Sequence, residues 1–399
     1  MRKIINGILF ISFLSLIIIW LFADLPLFSP LAEKSDSFLK RQNQVNKKIY
    51  GFLPFWNLDD FVFQEELTDI AYFSLTINED GSLKTNDGEN LDPGFFRLQS
   101  DEFSNIQNQM LSKQKKTHIV LSLFENKKIE NFLDSSESTD KFFQSIDSVL
   151  LAYPFSGINL DVEYTGEANQ ELRDKYTSFI KKLSQHIQAR YKNKIELSID
   201  TYAAAASKKM IWDINNLHPH VDYIVVMAYD FHRTSSTQSG PVAPLFKKEN
   251  SWKESIHSYL ADFAKKVPTH KILLGIPFYG YEWQTTTREP EAFTFPKSGA
   301  TASYKRVQEL LKNKEELQIE EGWDEDALAP YLTYVKDEEF FTIYYENAKS
   351  IKYKLEYVNQ LDLGGIAIWS LGYEGNSREI WDAIQQTLLH EPTTNSTNQ

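Results

Sequence analysis

The sequence predicts an α/β protein: a (β/α)8 TIM barrel with a small α+β insertion between strands seven and eight, preceded by an N-terminal transmembrane helix. Three observations predict it. Eight short runs are almost continuously apolar, amphipathic helical periodicity fills the gaps between them, and an apolar run of about 20 residues follows two basic residues at the N-terminus. Unbroken apolar runs mark strands covered on both faces, as in a parallel sheet ringed by helices. A doubly wound open sheet is the alternative, but no Gly-rich phosphate loop follows the first strand.

Arg2 and Lys3 precede the apolar run Ile4 to Ala23, which only Asn6, Gly7, Ser12 and Ser15 interrupt. That length crosses the hydrocarbon core as a helix. A cleaved signal has a shorter apolar stretch and a small-x-small cleavage site. Leu21-Phe22-Ala23 and Pro30-Leu31-Ala32 are poor matches to such a site. Residues 1–23 therefore read as a retained anchor in preference to a cleaved signal, with Arg2 and Lys3 on the cytoplasmic side. The rest of the chain is expected on the extracytoplasmic face of the membrane, or secreted if the segment is cut. Residues 24–46 are polar or Pro-containing and read as a linker.

The strand candidates begin with Lys48 to Trp56 and continue with Thr68 to Ile77, which the turn Asn78-Glu79-Asp80-Gly81 ends. His118–Leu123, Phe155–Glu163 and Ile195–Asp200 are the third to fifth. Val221–Tyr229, Lys271–Tyr279 and Gly365–Leu371 complete the eight. Between them, segment 170–190 places Leu172, Tyr176, Phe179, Ile180, Leu183 and Ile187 on one helical face. Segments 251–264 and 376–389 show the same period. About 85 residues separate strands seven and eight, where a crossover needs about 30. The stretch 281–340, with a helix near Tyr304–Lys314, reads as an insertion in a barrel loop, and such loops stand at the rim that carries the site. The barrel is expected to span 47–389, and the Thr/Asn-rich tail 390–399 to be disordered.

Net charge is 42 − 55 = −13. An acidic surface repels phosphates, so nucleic acid is not expected as a partner, whereas a neutral polymer meets no such barrier. The absence of cysteine excludes disulfides, zinc-thiolate sites and thiol nucleophiles. The chain holds 20 Tyr, 27 Phe and 8 Trp; most belong to a large core, and some can line a groove in which ring faces stack on sugars.

The most informative segment is Phe155-Ser156-Gly157-Ile158-Asn159-Leu160-Asp161-Val162-Glu163-Tyr164. Side chains alternate along a strand, so Asn159, Asp161 and Glu163 share one face and Ile158, Leu160 and Val162 the other. The apolar trio suits the layer between barrel and helices. The polar trio then points into the lumen, with Glu163 at the C-terminal mouth. Burying such groups together is expensive and points to function. Like charges about 6–7 Å apart on alternate residues resist joint ionisation, which keeps one carboxyl protonated. A protonated Glu at the rim can donate to a leaving oxygen, while Asp161, one step deeper, can stay charged.

Here the chain resembles glycoside hydrolase family 18, whose signature D-G-x-D-x-D-x-E lies on the fourth barrel strand. The matching residues are Ser156-Gly157-Ile158-Asn159-Leu160-Asp161-Val162-Glu163. Met227-Ala228-Tyr229-Asp230 resembles the family's M-x-Y-D, and Gly240-Pro241-Val242-Ala243-Pro244-Leu245 its G-P-x-A-P-L loop. Gly275-Ile276-Pro277-Phe278-Tyr279-Gly280 resembles its strand-seven motif, and Gly364 to Trp369 its strand-eight motif. Together these cover roughly residues 48–389. The resemblance implies substrate-assisted retention, a departure from the two-carboxylate scheme. Glu163 would be the acid, Asp161 would orient the substrate's acetamido group, and Tyr229 would donate to its carbonyl. Asp230, Trp369, Asn159, Met227, Phe73, Trp56 and Tyr279 would bind the sugar. No cofactor and no metal are expected; His232 has no second ligand at suitable spacing.

Two signature acids are replaced, by Ser156 and Asn159. Asn159 is expected to hydrogen-bond Asp161 without sharing a proton. Ser122-Leu123-Phe124-Glu125 stands where the family has S-x-G-G, and Phe124 implies a differently shaped groove. The expected substrate is a β-linked, N-acetylglucosamine-containing glycan, either chitin oligomers or peptidoglycan. Gly51-Phe52-Leu53-Pro54-Phe55-Trp56 resembles the first strand of bacterial wall and spore-cortex hydrolases. The alternative is a non-catalytic lectin; such relatives lose the terminal Glu, which is present here as Glu163. A monomer is expected.

Overall fold

The computed structural model describes residues 47–249 and 251–389. The expected anchor, linker and tail all lie outside the described residues. Among the described residues, no helix is long and apolar enough to cross a membrane.

Eight parallel strands close into a barrel, each hydrogen-bonded to its sequence neighbour, with the last pairing back to the first. They are β1 (Lys48–Pro54), β2 (Asp69–Thr76), β3 (Lys116–Leu123) and β4 (Gly157–Val162). They continue with β5 (Glu196–Tyr202), β6 (Tyr223–Met227), β7 (Ile272–Pro277) and β8 (Gly365–Trp369). All eight expected strands are present. The first ends two residues early, because Phe55–Asp60 winds into a 3-10 helix after Pro54. Trp56 therefore sits on a rim turn and not on a strand.

The core has two layers. Outward strand residues such as Ile158, Leu160 and Val162 join the helices in the larger layer. Inward residues Tyr50, Phe52, Ala71, Phe73, Val120, Val225, Leu273 and Ala367 fill the barrel itself, as layered side chains do in this architecture. The helix Gln170–Tyr191 buries the expected stripe, and the Asn169 side chain caps it by accepting from Leu172 N at 2.9 Å. Two helices differ from expectation. The one expected from residue 251 begins at Ile256, because Ser255 and Ser258 form a capping box there. The one expected over 376–389 is α-helical only over Glu379–Ile384 and then widens to a π-turn.

The base of the barrel is closed by charged side chains. Lys48 Nζ lies 2.7 Å from Asp69 Oδ1 and 3.0 Å from Glu196 Oε2, and His118 Nε2 lies 2.8 Å from Asp69 Oδ1. Asp69, His118 and Glu196 lie close enough together to hold a cation, but the Lys48 ammonium already contacts both carboxylates. Gly157 is required here: a Cβ at that position would stand 2.1 Å from His118 Nδ1.

The insertion is a five-stranded antiparallel sheet formed by Tyr279–Thr285, Ala300–Ser303, Glu320–Asp324, Ala329–Lys336 and Glu339–Tyr344, with the helix Tyr304–Leu311. Its sheet starts two residues before and ends four residues after the expected 281–340, since the first strand follows β7 almost directly. Lys248, in the loop after β6, pairs with Glu291 and lies 3.5 Å from Asp324, which pins the insertion to the barrel.

Candidate active site

The C-terminal mouth of the barrel opens into a cavity of about 260 Å³. Eight residues expected from the sequence line it: Asp161, Glu163, Tyr229, Asp230, Met227, Phe73, Tyr279 and Trp369. Phe52, Asp200, Tyr202 and Arg233 complete the lining. Asn159 lies beneath the cavity, fully buried. Trp56 stands outside it, half exposed, with its ring edge-on to Phe73 at 6.0 Å.

Strand alternation places the acids. Asp161 and Asn159 point inward from β4, while Ile158 and Leu160 face the helices. Glu163 follows the last residue of β4, where its backbone N–H donates to Leu123 O at 3.1 Å. The expected bond between Asn159 and Asp161 is not formed. Asn159 Nδ2 donates instead across the sheet, to Asp200 Oδ1 at 2.7 Å and Ser198 Oγ at 3.0 Å. Ser198 stands directly opposite Asn159 on β5, and Asp200 is the next inward residue along that strand. Asp161 Oδ1 is buried without a hydrogen-bond partner among the described residues.

Burial raises the Asp161 carboxyl well above the usual range, and the charges of Asp200 and Glu163 add to the rise. Burial also raises Glu163; the Tyr202 hydroxyl and the Arg233 guanidinium oppose the rise, and Asp230 adds to it. A proton is thus retained in the site. Tyr229 is likewise raised well above its ordinary value, first by burial and then by the carboxylates around it, so its hydroxyl is kept as a donor.

Asp230 adopts φ 63°, which turns its side chain back over the cavity. Its Oδ1 accepts from the hydroxyls of Tyr279 and, at 2.7 Å, Tyr281. Arg233 Nε donates to the Asp230 carbonyl at 3.2 Å. Gly275 on β7 makes room for the Tyr229 ring: a Cβ there would lie 2.9 Å from Tyr229 Cε1. Trp369 packs edge-on against Phe73 at 4.7 Å and lies 5.8 Å from Phe52, which holds an indole surface toward the cavity. Phe124 follows β3 and is 41% exposed.

Sequence reasoning missed Asp200, Tyr202, Arg233 and Phe52. Asp200 and Tyr202 carry a readable signal, because Ser198, Asp200 and Tyr202 alternate on β5 as the acids do on β4. Arg233 lies in a loop and has no local signal.

The profile of the family described as Glycosyl hydrolases family 18 matches residues 37–374. Among curated relatives, "Uncharacterized glycosylase YvbX" of Bacillus subtilis is 25% identical over 260 residues, covering 64% of this chain and 67% of its own length. "Probable chitinase 10" of Drosophila melanogaster is 26% identical over 265 residues, covering 59% of this chain and 11% of its own length, and "Chitotriosidase-1" of Mus musculus is 24% identical over 282 residues, covering 66% and 60%. Among solved structures, the Ostrinia furnacalis Group IV chitinase in complex with allosamidin superposes with TM-score 0.73 at 20% identity, covering 86% of this chain and 98% of that one. The Bacillus megaterium spore cortex-lytic enzyme SleL gives TM-score 0.65 at 19% identity, covering 87% and 75%. These two likenesses establish the fold.

Proposed function

Because the chain belongs to glycosyl hydrolase family 18, we propose that it hydrolyses β-linked glycans containing N-acetylglucosamine, by substrate-assisted retention with Glu163 as general acid and base. One observation carries the reading. Glu163 stands at the mouth of the cavity directly above the buried Asp161, and its carboxyl is held above the ordinary range by burial.

Glu163 gives its proton to the leaving glycosidic oxygen. The carbonyl oxygen of the substrate's 2-acetamido group attacks the anomeric carbon and forms an oxazolinium ion. Asp161 orients the acetamido N–H and balances the positive charge. The Tyr229 hydroxyl donates to the acetamido carbonyl oxygen. Glu163, now a carboxylate, takes a proton from the water that opens the ring, and the anomeric configuration is retained. Asp230, Met227 and Tyr279 contact the same sugar, and Trp369 is its floor. Asn159 acts from below the cavity, and Phe73 and Trp56 extend the aromatic wall.

Chitin oligomers and peptidoglycan both carry the required acetamido group. The chitinase and cortex-lytic likenesses make both candidates, and the exposed Phe124, where the family has Gly, supports a differently shaped groove that disfavours standard chitin binding. The apolar run 4–23 supports a tether that presents the barrel on the extracytoplasmic face of the membrane. The test is turnover of a GlcNAc oligosaccharide by the wild-type chain and its inhibition by a thiazoline mimic of the oxazolinium.

A further inference from the structure

Strands β4 and β5 carry their inward residues opposite one another. Asn159 is in register with Ser198. One step further along, Asp161 lines the cavity beside Asp200, and beyond them Glu163 pairs with the Tyr202 hydroxyl. Asp200 is 2% exposed and lines the cavity. The mechanism as proposed gives it no task. Asp161, Glu163 and Asp200 thus share the floor and wall of one cavity, Asp230 adds a fourth carboxyl at its rim, and among the lining residues the cation is Arg233, which is itself exposed. Buried carboxyls this close resist joint ionisation.

Burial raises the Asp200 carboxyl well above its ordinary value, the charge of Glu163 adds to the rise, and the Asn159 amide opposes it. Asn159 Nδ2 donates to its Oδ1 at 2.7 Å, and an amide donor binds a carboxylate more strongly than a carboxylic acid. Asp161 Oδ1 has no such donor among the described residues. Asn159 also stands where the strand-four signature usually has an acid. Resting on the reading of Glu163 as proton donor, we propose that Asp200 is a positioning residue. From β5 it supplies the buried carboxylate that Asn159 lacks on β4, and its charge, pinned by the Asn159 amide, holds one working proton on the Asp161–Glu163 pair, so that Asp161 is a carboxylate while Glu163 is the acid.

The groups that face Asp200 allow this. From β4 they are Asp161 and Glu163. Tyr50 approaches from β1, Tyr176 from the helix Gln170–Tyr191, and Tyr229 from the end of β6. Burial raises all three phenols well above their ordinary value, so they stay neutral beside it. Asp230 and Arg233 act on Glu163 from the rim.

The test compares pH profiles of kcat/KM. Asp200→Asn removes the like charge that acts on Asp161, so the Asp161–Glu163 pair loses its proton at lower pH. The alkaline limb is expected to move toward acid by about one pH unit, with kcat falling and KM nearly unchanged. Asn159→Asp/Asp200→Asn returns a carboxylate to β4 with the hydrogen bond reversed, and is expected to move the limb back. A merely structural Asp200 would lower the melting temperature and the active fraction without moving the limb, and that result overturns the proposal. If Asp200→Asn fails to fold, Asn159→Asp replaces it: the added acid must move the limb toward alkaline pH, and an unmoved limb overturns the proposal. If the wild-type chain hydrolyses no GlcNAc substrate, the donor reading fails separately. Infrared titration of the protonated carboxyl C=O signal in the folded protein then decides the role of Asp200. The signal at neutral pH must be weaker in Asp200→Asn, and an unchanged signal overturns the proposal.

Discussion

The Asn159 side-chain amide donates to Asp200 Oδ1 across the β4–β5 ladder at 2.7 Å and leaves Asp161 Oδ1 without a partner among the described residues. This pairing fixes which acids of the site are satisfied by the protein and which are left to face a substrate.

The first prediction concerns pH. Burial sets the Glu163 carboxyl above its ordinary value, which is about 4.3. An acid must be protonated to act, so kcat/KM falls as pH rises through that raised value. The alkaline limb of the profile is expected above the ordinary carboxylate range. A limb at or below about pH 4.3 contradicts the setting described for Glu163.

Tyr229 tests acetamido participation. Tyr229→Phe keeps the ring that packs at 6.2 Å from Tyr279 and removes only the hydroxyl. The expected loss is about 10²–10³ in kcat, as for one oxyanion-type donor. A thiazoline is expected to compete with substrate in the wild type and to bind more weakly to the variant. Full activity in Tyr229→Phe removes this residue from the mechanism.

Stability at low pH tests the barrel base. Burial by itself would raise the Asp69 carboxyl, but hydrogen bonds and charge from His118 and Lys48 outweigh it and hold the group far below its usual range. A depressed carboxyl contributes stability above its unfolded value, about 3.9, and that contribution is lost as pH falls through the folded value. Asp69→Asn leaves the Lys48 ammonium, 8% exposed, without its nearest carboxylate, and is expected to cost about 3–5 kcal/mol at neutral pH. The difference from wild type must shrink below about pH 4; thermal melts across pH read both. A difference independent of pH contradicts the assignment.

The N-terminal run predicts location. The full-length chain is expected to sediment with membranes and to need detergent for release. A soluble product whose N-terminus falls between residues 24 and 33 would show that the segment is a cleaved signal.

Much of this was legible in the sequence, for identifiable physical reasons. All eight strands stood out because parallel strands buried on both faces need unbroken apolar runs, and Ile158, Leu160 and Val162 lie on the outward face as alternation required. The inward placing of Asp161 and the rim position of Glu163 followed from the same period. What failed was cross-strand chemistry. Asn159 was expected to serve Asp161 on its own strand, yet its partner is Asp200, 41 residues away. The pairing of Asp230 with Tyr279 and Tyr281 spans about 50 residues and joins a barrel loop to the insertion, so no local pattern announces it. The same holds for Asp69, His118 and Glu196, which three strands bring together. Element ends shifted where capping chemistry decides them, as at Ser255.

The central claim is that Glu163 protonates the leaving oxygen of an N-acetylated glycan. It is tested most directly by mass spectrometry of products after wild-type and Glu163→Gln chains digest chitin oligomers and purified peptidoglycan side by side. The account predicts fragments with new N-acetylated reducing ends from at least one polymer with the wild type. It predicts at least about 10²-fold less from Glu163→Gln, which still binds the glycan. Equal turnover by the two chains, or no cleavage of either polymer by the wild type, would contradict it.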